Sequence, residues 1–217
     1  MADLGPRLEA ALAFVPAAER LADVGADHGF LAIEAVARGK AKAALAIDDK
    51  PGPLSKATGN VARAGLSDRI ETVLRDGLPA GHGCDVVCVL GMGGAMIRRI
   101  LETADLTSVR RLVLGPQSEA AVVRAWLEEH DYAIEREAFL AERGKHYQIL
   151  SAVPGRMALS DAEREFGPLI LKERNEAFRT YVAGLIDALE RGRAAAVDPL
   201  KRRLLQIRID FLRELIP

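Results

Sequence analysis

Four short segments of this 217-residue chain gather acids, glycines and a histidine at spacings that suit a nucleoside-bearing ligand. The first is Asp23-Val-Gly-Ala-Asp-His-Gly29. Gly25 and Gly29 let the backbone come close to a ligand, because glycine has no Cβ and tolerates positive φ. The second is Asp48, about 20 residues beyond the glycine loop, where a carboxylate can accept from both ribose hydroxyls of an adenosine. The third is Arg75-Asp76-Gly77, whose acid can face an adenine amino group, and the fourth is Gly91-Met92-Gly93-Gly94. Each has a plainer reading: tight turns for the glycines, a cap or surface acid for Asp48, a turn residue for Asp76. All four at successive strand ends favour a bound cofactor with an adenosine end. The G-x-G-x-x-G fingerprint is missing, since Asp27 stands where a second glycine would admit a pyrophosphate, and this argues against an NAD or FAD dehydrogenase.

The elements needed to place these segments follow from the apolar pattern. An apolar helical stretch covers 8–15. Short apolar runs at 20–24, 43–47, 70–74, 85–90 and 111–114 read as buried strands, each ending at one of these loops or at Gly115-Pro116. Helical patterns at about 30–38, 53–65, 95–103 and 118–130 lie between them, which predicts a parallel sheet covered on both faces. Strands at 132–138 and 146–153, joined by Glu142-Arg-Gly-Lys145, have no helix between them and should pair antiparallel. That ending is the layout of a class I methyltransferase, a Rossmann-like α/β sheet.

Pro154-Gly155 marks a boundary between a domain at 1–154 and a C-terminal helical domain at 155–217. One helix is expected from Pro168 to Arg191 and another from Pro199 to Leu215, with Asp198 as N-cap and proline at the first helical position. Stripes of Phe178, Val182, Leu185 and Leu189, and of Leu200, Leu204, Ile207, Phe211 and Leu215, predict an antiparallel helical hairpin.

Composition narrows the setting. Hydrophobic residues make up 49% and charged residues 28%, as in a folded globular protein. No apolar run reaches the ~20 residues of a membrane span, so no membrane association is expected. Met1–Glu9 lacks a basic segment followed by an apolar one, so no secretory leader is expected. Cys84 and Cys88 would stand about 13 Å apart on one strand, too far for a disulfide. They read as core residues of a cytoplasmic protein, and no metal site is expected. A net charge of −1 gives no global signature of nucleic-acid binding. Any such contact must come from a local patch, and the hairpin tip offers one in Arg191, Arg193, Lys201, Arg202 and Arg203. The plainer reading is a solvated tip.

Several segments together are distinctive: Leu21-Ala-Asp-Val-Gly-Ala-Asp-His28 with Gly91-Met-Gly-Gly94, then Gly65-Leu-Ser-Asp68, Gly144-Lys145 with Tyr147, and Glu165-Phe-Gly-Pro168. On these the chain resembles the TrmK family of bacterial tRNA (adenine-22-N1)-methyltransferases. The resemblance implies S-adenosyl-L-methionine as cofactor, tRNA as partner and methyl transfer to N1 of an adenine. By position it implies that Gly25, Asp27, His28, Asp48, Asp76 and the Gly91–Gly94 loop line the cofactor and target pocket. The chain departs from the family pattern at Ile47-Asp-Asp-Lys-Pro-Gly-Pro53 and at Gly115-Pro-Gln117.

N1 of adenine carries an in-plane lone pair, and its methylation yields a cation. The enzyme then needs positioning and negative charge near the ring. Asp27 is the candidate carboxylate, with capping of the next helix as its plainer role. His28 can stack on the base or hold the loop, and these two form the expected catalytic set. Gly25, Asp27, Gly29, Asp48, Asp76, Gly77, Gly91, Met92 and Gly93 form the expected cofactor set. Tyr147 and Phe30 are the aromatics nearest the sheet's carboxyl end. Phe30 is expected in the core, as is Trp126 on its helix. A methyltransferase for a small molecule or protein, and a non-catalytic cofactor-binding module, are the other readings. A monomer or weak homodimer is expected.

Overall fold

The computed structural model describes residues 4–216; residues 1–3 of the amino-terminal stretch considered above, and residue 217, lie outside it. A helix α1 (Gly5–Phe14) precedes β1 (Ala18–Val24), α2 (Phe30–Ala37), β2 (Ala41–Asp48), α3 (Pro51–Arg63) and β3 (Ile70–Leu74). Then come β4 (Val86–Gly93), α4 (Gly94–Thr103), β5 (Arg111–Ser118), α5 (Ala120–Glu129), β6 (Tyr132–Glu142) and β7 (Lys145–Pro154). The seven strands form one sheet in the order β3-β2-β1-β4-β5-β7-β6. β7 runs antiparallel to both its neighbours, and the other pairings are parallel. The two-residue turn from β6 to β7 places Arg143 at φ 50° and Gly144 at φ 76°, the left-handed pair that suits the twist of a hairpin.

Both sheet faces are covered, which is why the strands read as unbroken apolar runs. Leu21, Ala44, Ala46, Val86, Cys88 and Leu90 face α1 and α2, while Ala22, Val24, Leu45, Ile47, Val87 and Val89 face α4 and α5. Cys84 and Cys88 are free and fully buried, one in each of these layers. Burial pushes the Cys84 thiol up to about 11 and holds the Cys88 thiol well above its ordinary value.

β4 and β5 run further than the sequence pattern suggests. β4 carries the Gly91-Met92-Gly93 segment as an irregular end, with register shifts against β5 on either side of Met92. The carboxy-terminal part differs from expectation in two respects. The helix expected over 168–191 is broken into α7 (Pro168–Glu173) and α8 (Glu176–Ala195), preceded by α6 (Asp161–Phe166). Arg174 takes φ 48°, and Asn175 caps α8 by accepting from the Phe178 amide at 3.0 Å. The Asn175 amide also donates to the Phe139 carbonyl at 2.9 Å, so the break docks the helices on β6.

The second difference concerns α9 (Pro199–Leu215). The helical hairpin forms, but Leu200, Leu204 and Ile207 are exposed, at 64%, 58% and 58%. Ile209, Leu212 and Leu215 are the buried face, packed with Phe178, Val182 and Ile186 of α8. Beneath the hairpin lies a buried polar knot. Arg124 of α5 and Glu137 of β6 pair at 2.8 Å with both side chains fully buried. The Arg124 guanidinium also donates to Gln148 Oε1 at 2.6 Å and to the carbonyls of Arg164, Glu165 and Phe166. Gly167, at φ 99°, is required here because any Cβ would strike the Glu137 carboxylate and the Arg124 guanidinium.

Candidate functional site

The strand order reverses between β1 and β4, and a parallel sheet opens a crevice at the carboxyl ends of such a pair. Two adjoining clefts of about 260 Å³ each occupy it and share Gly25 as a wall. Gly25 has φ 75°, and a Cβ there would run into Cε of Met92 from the facing loop. The residue thus needs both the left-handed conformation and the bare backbone.

The first cleft collects Asp23, Asp27, His28, Phe30, Gly91 and Gln117, with Arg7 reaching in from α1. Asp27 adopts φ 48°, sparsely populated by residues other than glycine. Its side chain is 64% exposed, with Oδ2 3.6 Å from His28 Nε2. It does not cap α2, whose N-cap is Gly29 without any side-chain cap bond. Gly29 itself faces Ala57 of α3, where an added Cβ would come within 3.2 Å. The His28 ring stacks on Phe30 with centroids 5.5 Å apart and planes 21° from parallel. Phe30 was expected in the core; it is 36% exposed, because it opens α2 at the cleft rim ahead of the buried run Leu31–Val36. Tyr147 offers its face to the Arg7 guanidinium, 5.4 Å from the ring centroid. Trp126 is buried against His130 and Tyr132, a packing role.

The second cleft holds Asp48, Asp76, Gly77, Met92 and Gly93, with Met96 and Arg99 from α4. Asp48 is 7% exposed. Its Oδ2 accepts from the Asp27 amide at 3.1 Å and its Oδ1 from the Lys50 amide at 2.9 Å. The carboxylate therefore staples the first loop to the end of β2 and keeps further lone pairs for a ligand. Asp76 lies at the outer edge, held by both Arg99 nitrogens at 2.8 Å, and this pairing keeps its carboxyl below the usual range. Carboxylates for hydroxyls and an amine, apolar walls from Met92 and Met96, and a bare backbone at Gly25 together fit an adenosine.

Asp23, Arg7 and Gln117 in the first cleft, and Met96 and Arg99 in the second, are lining residues outside the set expected from sequence. Asp23 is buried, and loss of solvent raises its carboxyl to about 7, against the opposing pull of the Ala32 amide and with a further push from Asp48. Its position as the last acid before Gly25 was the available signal. Arg7 and Gln117 arrive from distant parts of the chain; their only signal is the family resemblance, which Arg7-Leu8 shares and from which Gly115-Pro-Gln117 departs. The basic residues of the tip, Arg191, Arg193, Lys201, Arg202 and Arg203, are all exposed and line neither cleft. Arg193 touches Gln206, and Arg202 donates to the Ala196 carbonyl.

A seven-stranded sheet with β7 alone reversed, and a crevice at its switch point lined by Asp48, Asp76, Gly25 and Met92, define a class I methyltransferase fold. A family model described as TrmK, tRNA (adenine(22)-N(1))-methyltransferase, matches residues 21–207, and the chain belongs to that family. It is 36% identical over 185 residues to the tRNA (adenine(22)-N(1))-methyltransferase of Bacillus subtilis, covering 81% of this chain and 78% of that one. A Streptococcus pneumoniae protein solved in complex with S-adenosyl-L-methionine superposes with a TM-score of 0.90 at 35% identity, covering 97% of this chain and 98% of that one. TrmK of M. capricolum, solved with S-adenosyl-homocysteine, gives 0.89 at 26% identity with both chains fully covered.

Proposed function

We propose that the protein methylates N1 of adenine 22 in tRNA with S-adenosyl-L-methionine. Membership of the TrmK family across residues 21–207 carries this reading, and the paired clefts at Gly25 support it. When bound, the cofactor supplies a methyl group on a positively charged sulfur. Asp48 would hold the ribose hydroxyls and Asp76 would face the adenine amine, with Gly25, Gly77, Gly91 and Gly93 keeping backbone close to the ligand. Gly29 sets the turn behind it. Met92 and Met96 would flank the adenine plane.

The target base would enter the first cleft, where His28 and Phe30 form an aromatic rim. N1 needs no base to deprotonate it. Asp27 would accept a hydrogen bond from the exocyclic amine, a contact that strengthens as the ring gains positive charge. The arginines and lysine of the hairpin tip would grip phosphates away from the target, since backbone contacts supply position and affinity but little sequence information. The division into domains at 1–154 and 155–217 suits that separation of tasks. We further read the protein as cytoplasmic and as a monomer or weak homodimer; among the described residues no helix is long and apolar enough to cross a membrane.

Unmodified tRNA incubated with the protein and isotopically labelled cofactor, then digested for nucleoside mass spectrometry, tests the reading. Labelled 1-methyladenosine mapping to position 22 is the expected product. Label on another base, or none, overturns it. Asp27→Ala should keep cofactor affinity and lose about 100-fold or more in single-turnover rate. A near-normal rate would leave Asp27 a loop residue only.

A further inference from the structure

A third cleft, of about 350 Å³, lies where the hairpin base meets the sheet, and no part of the proposed chemistry uses it. One wall is aromatic. Phe139 of β6, His146 of β7 and Tyr181 of α8 form a mutual cluster, with centroids 5.8, 5.3 and 5.1 Å apart. Polar atoms border it, since Gln148 pairs with Phe139 across β6 and β7 and shares a face of β7 with His146. Gln148 Oε1 is taken by the buried Arg124, which fixes the amide and leaves Nε2 as its polar atom for the cleft. Glu165, tied to Arg208, brings an acceptor, and Gln117 and Ser118 bring further hydrogen-bonding groups. Gln117 also lines the first cleft, so the two spaces share this residue.

The chemistry selects the ligand. Glu119 and Glu165 at the lining disfavour a phosphate. A flat neutral ring with donors and acceptors on its edge suits an aromatic wall bordered by a fixed amide donor and a carboxylate. We propose that this cleft is a second base subsite, holding an unpaired nucleobase next to the target adenine. The inference rests on the tRNA reading above. It also gives the buried knot a positioning role: Arg124 joins Gln148 to the carbonyls before Gly167, so the hairpin base and the base-reading amide are set by one guanidinium. A base stacked there would report to the protein that the flanking strand is single-stranded, which is how unstacked RNA is usually read.

The test uses Gln148→Glu, which keeps size and the Arg124 contact but removes the donor, and Tyr181→Leu, which keeps apolar volume but removes the ring. Each should raise KM for tRNA about tenfold, the scale of one lost stacked base, with cofactor affinity unchanged and the protein still folded at the assay temperature. tRNA made abasic beside the target should cost the wild type a similar factor and cost the variants little more. Additive losses, or a wild-type KM in both variants, would overturn the subsite. Binding is read separately from turnover with 2-aminopurine placed beside the target, whose fluorescence should fall on binding to wild type and fall less with either variant. Equal quenching by all three proteins overturns the subsite even where methylation occurs. Quenching by wild type alone without methylation keeps the subsite and refutes the proposed reaction.

Discussion

Asp23 at the end of β1 and Glu137 in β6 are both buried acids, and the fold treats them in opposite ways. Glu137 meets Arg124 at 2.8 Å and accepts from the Leu169 amide at 2.8 Å as well. Asp23 sits against a cleft with only partial compensation from the Ala32 amide and the more distant charge of Arg7. The first arrangement fixes how the hairpin meets the sheet. The second leaves a group that changes charge near neutrality at the edge of the crevice, as expected where a ligand completes the environment.

Breaking the satisfied pair should have the larger effect. Glu137→Gln strands a buried guanidinium, and loss of one partner of such a pair costs about 3–5 kcal/mol. Denaturant unfolding near neutral pH should show it. A loss below about 1 kcal/mol would mean that the carbonyls around Arg124 suffice without the acid. At Asp23 the effect depends on pH. Its folded-state value of about 7 is raised over the ordinary 3.8, so the native state binds the proton more tightly. Stability from this group is fully present below about pH 4 and declines as pH rises towards 7, by at most about 4 kcal/mol. Asp23→Asn should therefore become more stable relative to wild type between pH 4 and 8 in the ligand-free protein. A difference independent of pH would show that Asp23 keeps its charge.

Asp48 stands between these extremes, nearly buried yet satisfied by two amides. Asp48→Ala should weaken cofactor binding by about 1.5–3 kcal/mol for each charge-assisted bond lost, read by calorimetry. Unchanged affinity would remove it from the cofactor site. The smallest effect is expected at Asp76, whose pairing with Arg99 is exposed. Arg99→Ala should leave the melting temperature unmoved, because exposed ion pairs contribute little. A clear drop in melting temperature would show that the pair braces α4.

The same contrast explains what could be read from sequence. The run Val86–Leu90 announces a strand covered on both faces, and each of its residues is 8% exposed or less. Gly25, Asp48, Asp76 and Met92 come together because each ends a strand, a position that apolar spacing reveals. The hairpin is less legible. α9 carries apolar residues on two adjacent faces, and periodicity cannot say which one meets α8; Ile209 and Leu212 prevailed over Leu204 and Ile207. The break at Arg174 has no glycine or proline to signal it, since a cap made by Asn175 and a tether to Phe139 produce it. Arg124, Glu137 and Gln148 are ordinary surface-type residues in sequence, joined only by the packing of distant elements.

The two buried thiols make the protein its own probe of breathing motions. Cys84 belongs to the layer under α4 and α5, and Cys88 to the layer under α1 and α2. A thiol reagent reaches neither until its layer opens, because reaction needs an accessible thiolate. Mass spectrometry of partially alkylated protein would count which sulfur reacts first. Simultaneous labelling would mark the two sides of the sheet as one cooperative unit, and staggered labelling would mark them as two that open with separate free energies.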